Sequence, residues 1–238
     1  MLSNSKNIKE ASIRHIVMLI ISVLLVLLVW RLNSTWSPDM RLWKAFGGAT
    51  FMLLWFTLFI GPAAKLWNKL TRLVSWRRES GVWLAVVGLV HGFLVLNGWV
   101  RWGFLEFFGY QYVPELDTYL RFEPGFGLAN LMGLVALIFV ILLATTSFNK
   151  AVNFLGAGSW KWLHMLAYSI FYLTALHVIY FAFIHFSPSP YRVIAQLPTE
   201  YAVNPLRYFY LAAIISVFIA QIAAYFKTVQ TQRKSDWD

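Results

Sequence analysis

The stretch Trp160-Lys-Trp-Leu-His164-Met-Leu-Ala-Tyr168, continuing through Ala175-Leu-His177-Val178 to Ile184-His185, decides the reading of the chain. It is apolar enough to cross a bilayer, yet it holds three of the five histidines. Ionisable side chains in hydrocarbon are costly and persist where they have a partner or a task. Neutral imidazole has such a task as an axial ligand to haem iron. The rest of the chain is read for an opposite ligand.

Working outward, 59% of the 238 residues are hydrophobic and 13% charged. A soluble domain carries about 25% charge. The composition therefore selects an all-α, polytopic membrane protein. There is no cysteine, which removes disulfides, thiolate metal sites and Cys-ligated iron–sulfur clusters. No internal repeat stands out. The apolar runs predict a bundle of six transmembrane helices, near 13–31, 43–61, 82–100, 127–146, 160–185 and 205–226. Each approaches the ~20 residues a crossing needs. Gly61-Pro62 is read as the stop of the second. Residues 1–12 and 227–238 are polar tails flanking a single domain over 13–226.

The net charge of +10 could suggest nucleic acid, but its distribution follows the positive-inside rule instead. The 62–81 connection carries Lys65, Lys69, Arg72, Arg77 and Arg78 against Glu79, net +4. The 101–126 connection carries Arg101 and Arg121 against Glu106, Glu115, Asp117 and Glu123, net −2. Both termini are thus expected in the cytoplasm, with loops 101–126 and 186–204 facing outward as a docking surface.

Depth then singles out a histidine pair. His91 lies about nine residues, or roughly 14 Å, inside the third helix. His177 lies thirteen residues beyond His164, roughly 20 Å deeper. The third and fifth helices run the same way, so His91 and His177 meet at one level and can clamp a haem edge-on. Against this stands the ordinary reading of a histidine hydrogen-bonded to a neighbouring helix. Thirteen positions rotate a straight helix by about 220°. A π-bulge or kink must therefore intervene if His164 and His177 are to share a face. His164 has two readings: a polar interfacial residue, or the ligand of a second haem or inner electron entry, with Arg77 near its propionates. The third helix has no second inner histidine, which argues against a bis-histidine inner site. His185 and His15 read as interfacial. Gly88 and Gly92 suit either close approach of a macrocycle or helix packing. The many tryptophans read as interfacial belts and packing.

Arg77-Arg78-x-x-Gly81 with Leu89-Val90-His91 resembles the third helix of MsrQ-type haem subunits in the ferric reductase-like transmembrane family. Thr146-Ser147, Leu155-Gly156, Trp160, Leu163-His164, Tyr168 and His177 resemble that family's later block. The resemblance spans about residues 43–226. It implies haem b and, in some relatives, a flavin such as FMN. It implies a bacterial inner membrane. It also implies electrons entering from a cytoplasmic reductase or quinol and leaving to an outward-facing redox protein, a periplasmic methionine sulfoxide reductase in MsrQ-type systems. Three features depart from that pattern: no flavin or nicotinamide domain is expected after the sixth helix, loop 101–126 is long, and His185 is additional. Rival readings are a ferric-chelate or quinone reductase using the same haem, and a haem-free structural subunit. A transporter is disfavoured by the lack of carboxylates away from the edges of the spans.

Overall fold

The computed structural model describes residues 2–121, 124–185 and 203–235. Six helices are long and apolar enough to cross a membrane, and the chain is an all-α, multi-pass membrane protein. α1 spans Leu2–Leu32 and α2 spans Pro38–Leu66. A 3₁₀ segment, Asn68–Trp76, leads into α3, Arg77–Leu94, which continues as a π turn over Val95–Trp99. A short α4, Phe104–Phe107, precedes a two-stranded antiparallel hairpin. Its strands are β1, Tyr110–Val113, and β2, Thr118–Arg121. α5 is Pro124–Thr145, α6 is Asn149–Leu155, α7 is Ala157–His164 and α8 is Leu166–Ile179, followed by a π turn over Tyr180–Ile184. α9 is Arg207–Ser235.

The helices alternate in direction. Arg41 donates to the Trp30 carbonyl where α1 ends and α2 begins. Lys227 donates to the Leu66 carbonyl where α2 and α9 both end. Arg14, near the start of the membrane-crossing part of α1 (Glu10–Leu32), meets Glu79 in the first turn of α3 at 2.9 Å. One end of the bundle thus carries the exposed Lys65, Lys69, Arg72 and Arg78, and the other carries the hairpin. These are the basic end and the hairpin end of the bundle.

α2 is the hub. In its most apolar stretch 44% of residues are buried, against 17% in α1, and it packs on α1, α3 and α9. Small residues allow this. A Cβ added at Gly48 would stand 2.9 Å from Val29 Cγ1, so α1 and α2 approach as helices in lipid do when small side chains face each other. α2, α3, α5 and α8 surround a cavity, and α1 and α9 pack outside α2.

Three expectations need correction, and one connection gains detail. α2 does not stop at Gly61-Pro62 but runs through Pro62 to Leu66. Proline forfeits one bond to the carbonyl four residues back. So close to the end of the helix that loss is small, and Trp67 N–H closes the last turn on the Ala63 carbonyl. The fifth span is not one helix, because Met165 separates α7 from α8. The 101–126 connection is structured: Asp117 takes a left-handed conformation (φ 45°) that turns the hairpin, and the Tyr112 hydroxyl donates to its carboxylate. That bond holds the Tyr112 phenol above the usual range. His185 is buried rather than interfacial, at 8% exposure, because Trp99, Phe126, Tyr180 and Phe181 all pack within 5.7 Å of its ring. Residues 186–202 of the second outward loop lie outside the described residues.

Candidate functional site

His91 on α3 and His177 on α8 line the same cavity, of about 220 Å³. The ring Nδ1 of His91 lies 3.1 Å from the carbonyl oxygen of Trp43 on α2. The ring Nδ1 of His177 lies 2.8 Å from the carbonyl of Ala129 on α5. A carbonyl only accepts, so each Nδ1 carries the proton and donates. Each Nε2 is then left with its lone pair, the state a metal-ligating imidazole requires.

The carbonyls are available for a reason visible in the sequence. In an α-helix each carbonyl accepts from the N–H four residues on, and the side chain there crowds its second lone pair. Four residues after Trp43 comes Gly47, and four after Ala129 comes Gly133. A Cβ at Gly47 would stand 2.8 Å from His91 Cε1, and one at Gly133 would stand 2.9 Å from His177 Cε1 and Nδ1. The missing side chains are what let each imidazole reach its carbonyl.

The two halves of the site repeat. Each histidine lies 48 residues beyond its carbonyl partner, each partner precedes its glycine by one turn, and each histidine is followed within a turn by a π turn. The expectation of no internal repeat therefore holds only for residue identities. Gly47 and Gly133 were not singled out in the sequence. The only signal was their equal spacing from the two histidines.

Gly88 and Gly92, which were singled out, line the cavity but face packing. A Cβ at Gly92 would meet Leu137 at 2.8 Å, and one at Gly88 would meet Thr50 at 3.4 Å. His164 does not line the cavity. It sits at the basic end, with Nε2 3.3 Å from Thr146 Oγ1 and its ring centroid 4.0 Å from that of Trp160. Neither π turn lies between His164 and His177. His177 lines the cavity and His164 does not, as thirteen positions of helical rotation lead one to expect. Arg77 donates from Nε to the Thr57 carbonyl at 2.9 Å, lies against Gly61 and is within electrostatic reach of His164. Arg78 donates to Asn149 at 3.0 Å. Among the described residues no three His, Cys, Asp or Glu side chains gather as a metal site. Two imidazoles are an incomplete set for a bare ion and a complete axial pair for a metal already held by a macrocycle.

No solved structure matches the chain. Over 165 residues it is 28% identical to the protein-methionine-sulfoxide reductase heme-binding subunit MsrQ of Polaromonas naphthalenivorans (strain CJ2), covering 67% of this chain and 69% of that one. The family model described as ferric reductase like transmembrane component matches residues 46–175. That stretch contains His91, Gly133 and much of the cavity wall, and with more than half of the chain matched, this protein belongs to the ferric reductase-like transmembrane family.

Proposed function

We propose that the protein is a transmembrane electron-transfer subunit that holds one haem b between His91 and His177. The observation that carries this reading is the matched pair of Nδ1–carbonyl bonds at one cavity, which fixes both imidazoles in the tautomer that ligates iron. The residues present fit the group. Glycines stand where a Cβ would displace either ring, and Leu54, Leu84, Ala136, Val140 and Ile170 line the cavity with apolar surface.

Haem held by these two imidazoles would supply one-electron transfer. The residues of this chain do the rest. Trp43 and Ala129 orient the imidazoles and raise their basicity as ligands. The apolar wall keeps water from the site and biases its potential. The basic end faces the cytoplasm by the distribution of Lys and Arg and receives electrons there from a flavin reductase or quinol. His164 and Arg77 stand at that end, where they suit electron entry or a flavin such as FMN better than a second haem. The hairpin end faces outward, where β1 and β2 and the 186–204 connection meet a redox partner. The MsrQ relative makes a methionine sulfoxide reductase the first partner to try, and a bacterial inner membrane the expected location.

The test is a reduced-minus-oxidised spectrum of detergent-purified protein. Wild type should show a low-spin haem b band, and His91→Ala and His177→Ala should each lose most of it. A full-strength band in either variant would refute the axial assignment.

A further inference from the structure

We propose that the Tyr210 hydroxyl donates a hydrogen bond to a haem propionate at the seam between α2 and α8. The inference rests on the haem reading above and extends it to α9, a helix with no histidine.

Helix α9 reaches the cavity because α2 and α8 barely touch, and α9 covers their seam by packing on both. Its register against α2 is fixed at two bonds, Ser216 with Trp55 and Lys227 with Leu66, each pair 161 residues apart. The same offset puts Tyr210 level with Ala49. Accordingly, a Cβ added at Gly48 would stand 2.5 Å from the Tyr210 hydroxyl oxygen. Gly47, the residue before it, is the one that faces the His91 ring. The phenol therefore ends within one residue of the level at which that ligand is held. Phe51 packs edge-on against the tyrosine ring at 5.2 Å, and Tyr210 is 6% exposed.

Tyr210 lines the cavity, and its hydroxyl has no hydrogen-bond partner among the described residues. A buried phenol ordinarily finds one. Thr174 on α8 also lines the cavity, one turn before His177. A helical threonine can turn its hydroxyl back to the carbonyl four residues earlier, as Thr50 of the same cavity does to Phe46. The Thr174 hydroxyl has no partner among the described residues either. Two hydroxyls, one from α9 and one from α8, thus meet a cavity whose apolar wall of Leu54, Leu84, Val140 and Ile170 has no side-chain acceptor to give them. The acceptor then comes with whatever fills the cavity. The edge of haem b carries methyl, vinyl and propionate groups, and of these only the propionates accept a hydrogen bond. A carboxylate is costly to bury unpaired, and a donor bonds best to a charged acceptor. A propionate at this seam answers both needs at once.

The experiment compares wild type with Tyr210→Phe in detergent, by resonance Raman of the haem propionate bending modes in light and heavy water and by redox titration of the haem band. Tyr208→Phe is the control, since that exposed hydroxyl is already bonded to Arg207. Without the phenol proton the propionate charge is less offset, which disfavours the more negative, reduced state. Tyr210→Phe should therefore lower the midpoint potential, shift the propionate modes and weaken their response to heavy water. Tyr208→Phe should match wild type, and the bis-imidazole spectrum should persist in all three. Unchanged potential and propionate modes in haem-loaded Tyr210→Phe would overturn the assignment while leaving the haem reading intact. A wild-type protein without a Soret band would overturn both. Should Tyr210→Phe not load haem, Tyr210→Gln, which restores a donor, decides: haem regained supports the hydrogen bond, and haem absent again overturns it.

Discussion

At the scale of single residues, Gly47 and Gly133 matter as much as the histidines they face. Gly47→Ala or Gly133→Ala places a methyl within 3 Å of an imidazole and should push the ring off its carbonyl. Losing a buried hydrogen bond in this way costs about 1–3 kcal/mol, read as a lower thermal midpoint together with a shifted Soret band. Gly158→Ala, where an added Cβ meets nothing within 4 Å, should change neither. A second residue-scale expectation concerns Glu79, which is 2% exposed and has Arg14 as its ion-pair partner. Arg14→Met would leave a carboxylate inside the bundle without its cation. Because Arg14 is itself 27% exposed, the cost should be about 2 kcal/mol, below the value for a fully enclosed pair. Arg14→Met combined with Glu79→Leu should recover much of it in a denaturation series. His91 and His177 were legible in the sequence because an imidazole deep in an apolar run is conspicuous. Their partners were not, because a backbone carbonyl has no letter of its own. The burial of His185 is not legible in the sequence, because its aromatic neighbours come from three separate stretches of chain.

At the scale of elements, the six spans were legible from hydropathy alone, since each is a long apolar run between polar stretches. Their interruptions were not. Pro62 is a strong local stop signal, yet α2 passes through it for one further turn, closed by Trp67 N–H on the Ala63 carbonyl. Met165 carries no breaker chemistry, and yet α7 and α8 part there. The π turns after His91 and His177 depend on neighbours rather than on propensity; Trp99, in the first, packs 5.3 Å from Trp43. The contact between α2 and α9 can be tested at one bond, in which Trp55 Nε1 donates to Ser216 Oγ at 2.9 Å. Ser216→Ala leaves that partly buried indole N–H without its acceptor. It should cost about 1–2 kcal/mol, seen in thermal unfolding followed by Trp fluorescence, with the haem band unaffected.

At the scale of the whole molecule, one cavity takes both deep histidines, and His164 stands apart from it at the basic end. A pyridine haemochrome assay against protein concentration should therefore give about one haem per chain; a ratio near two would require an inner site built around His164. Flavin extraction from the same sample tests whether the basic end binds FMN. The bundle as a whole was legible as a membrane conduit, but its internal order was not, because the repetition lies in distances between unlike residues. That order has a further consequence. Two helical hairpins, α2–α3 and α5–α8, each bring one imidazole braced in the same manner, so the two sides of the site are built alike at the ligands. A porphyrin would meet an imidazole braced in the same way on each face and could enter either way up. Newly loaded protein should then hold two rotational isomers, distinguishable by paramagnetic NMR, and only the side chains that differ between the halves would make one of them prevail.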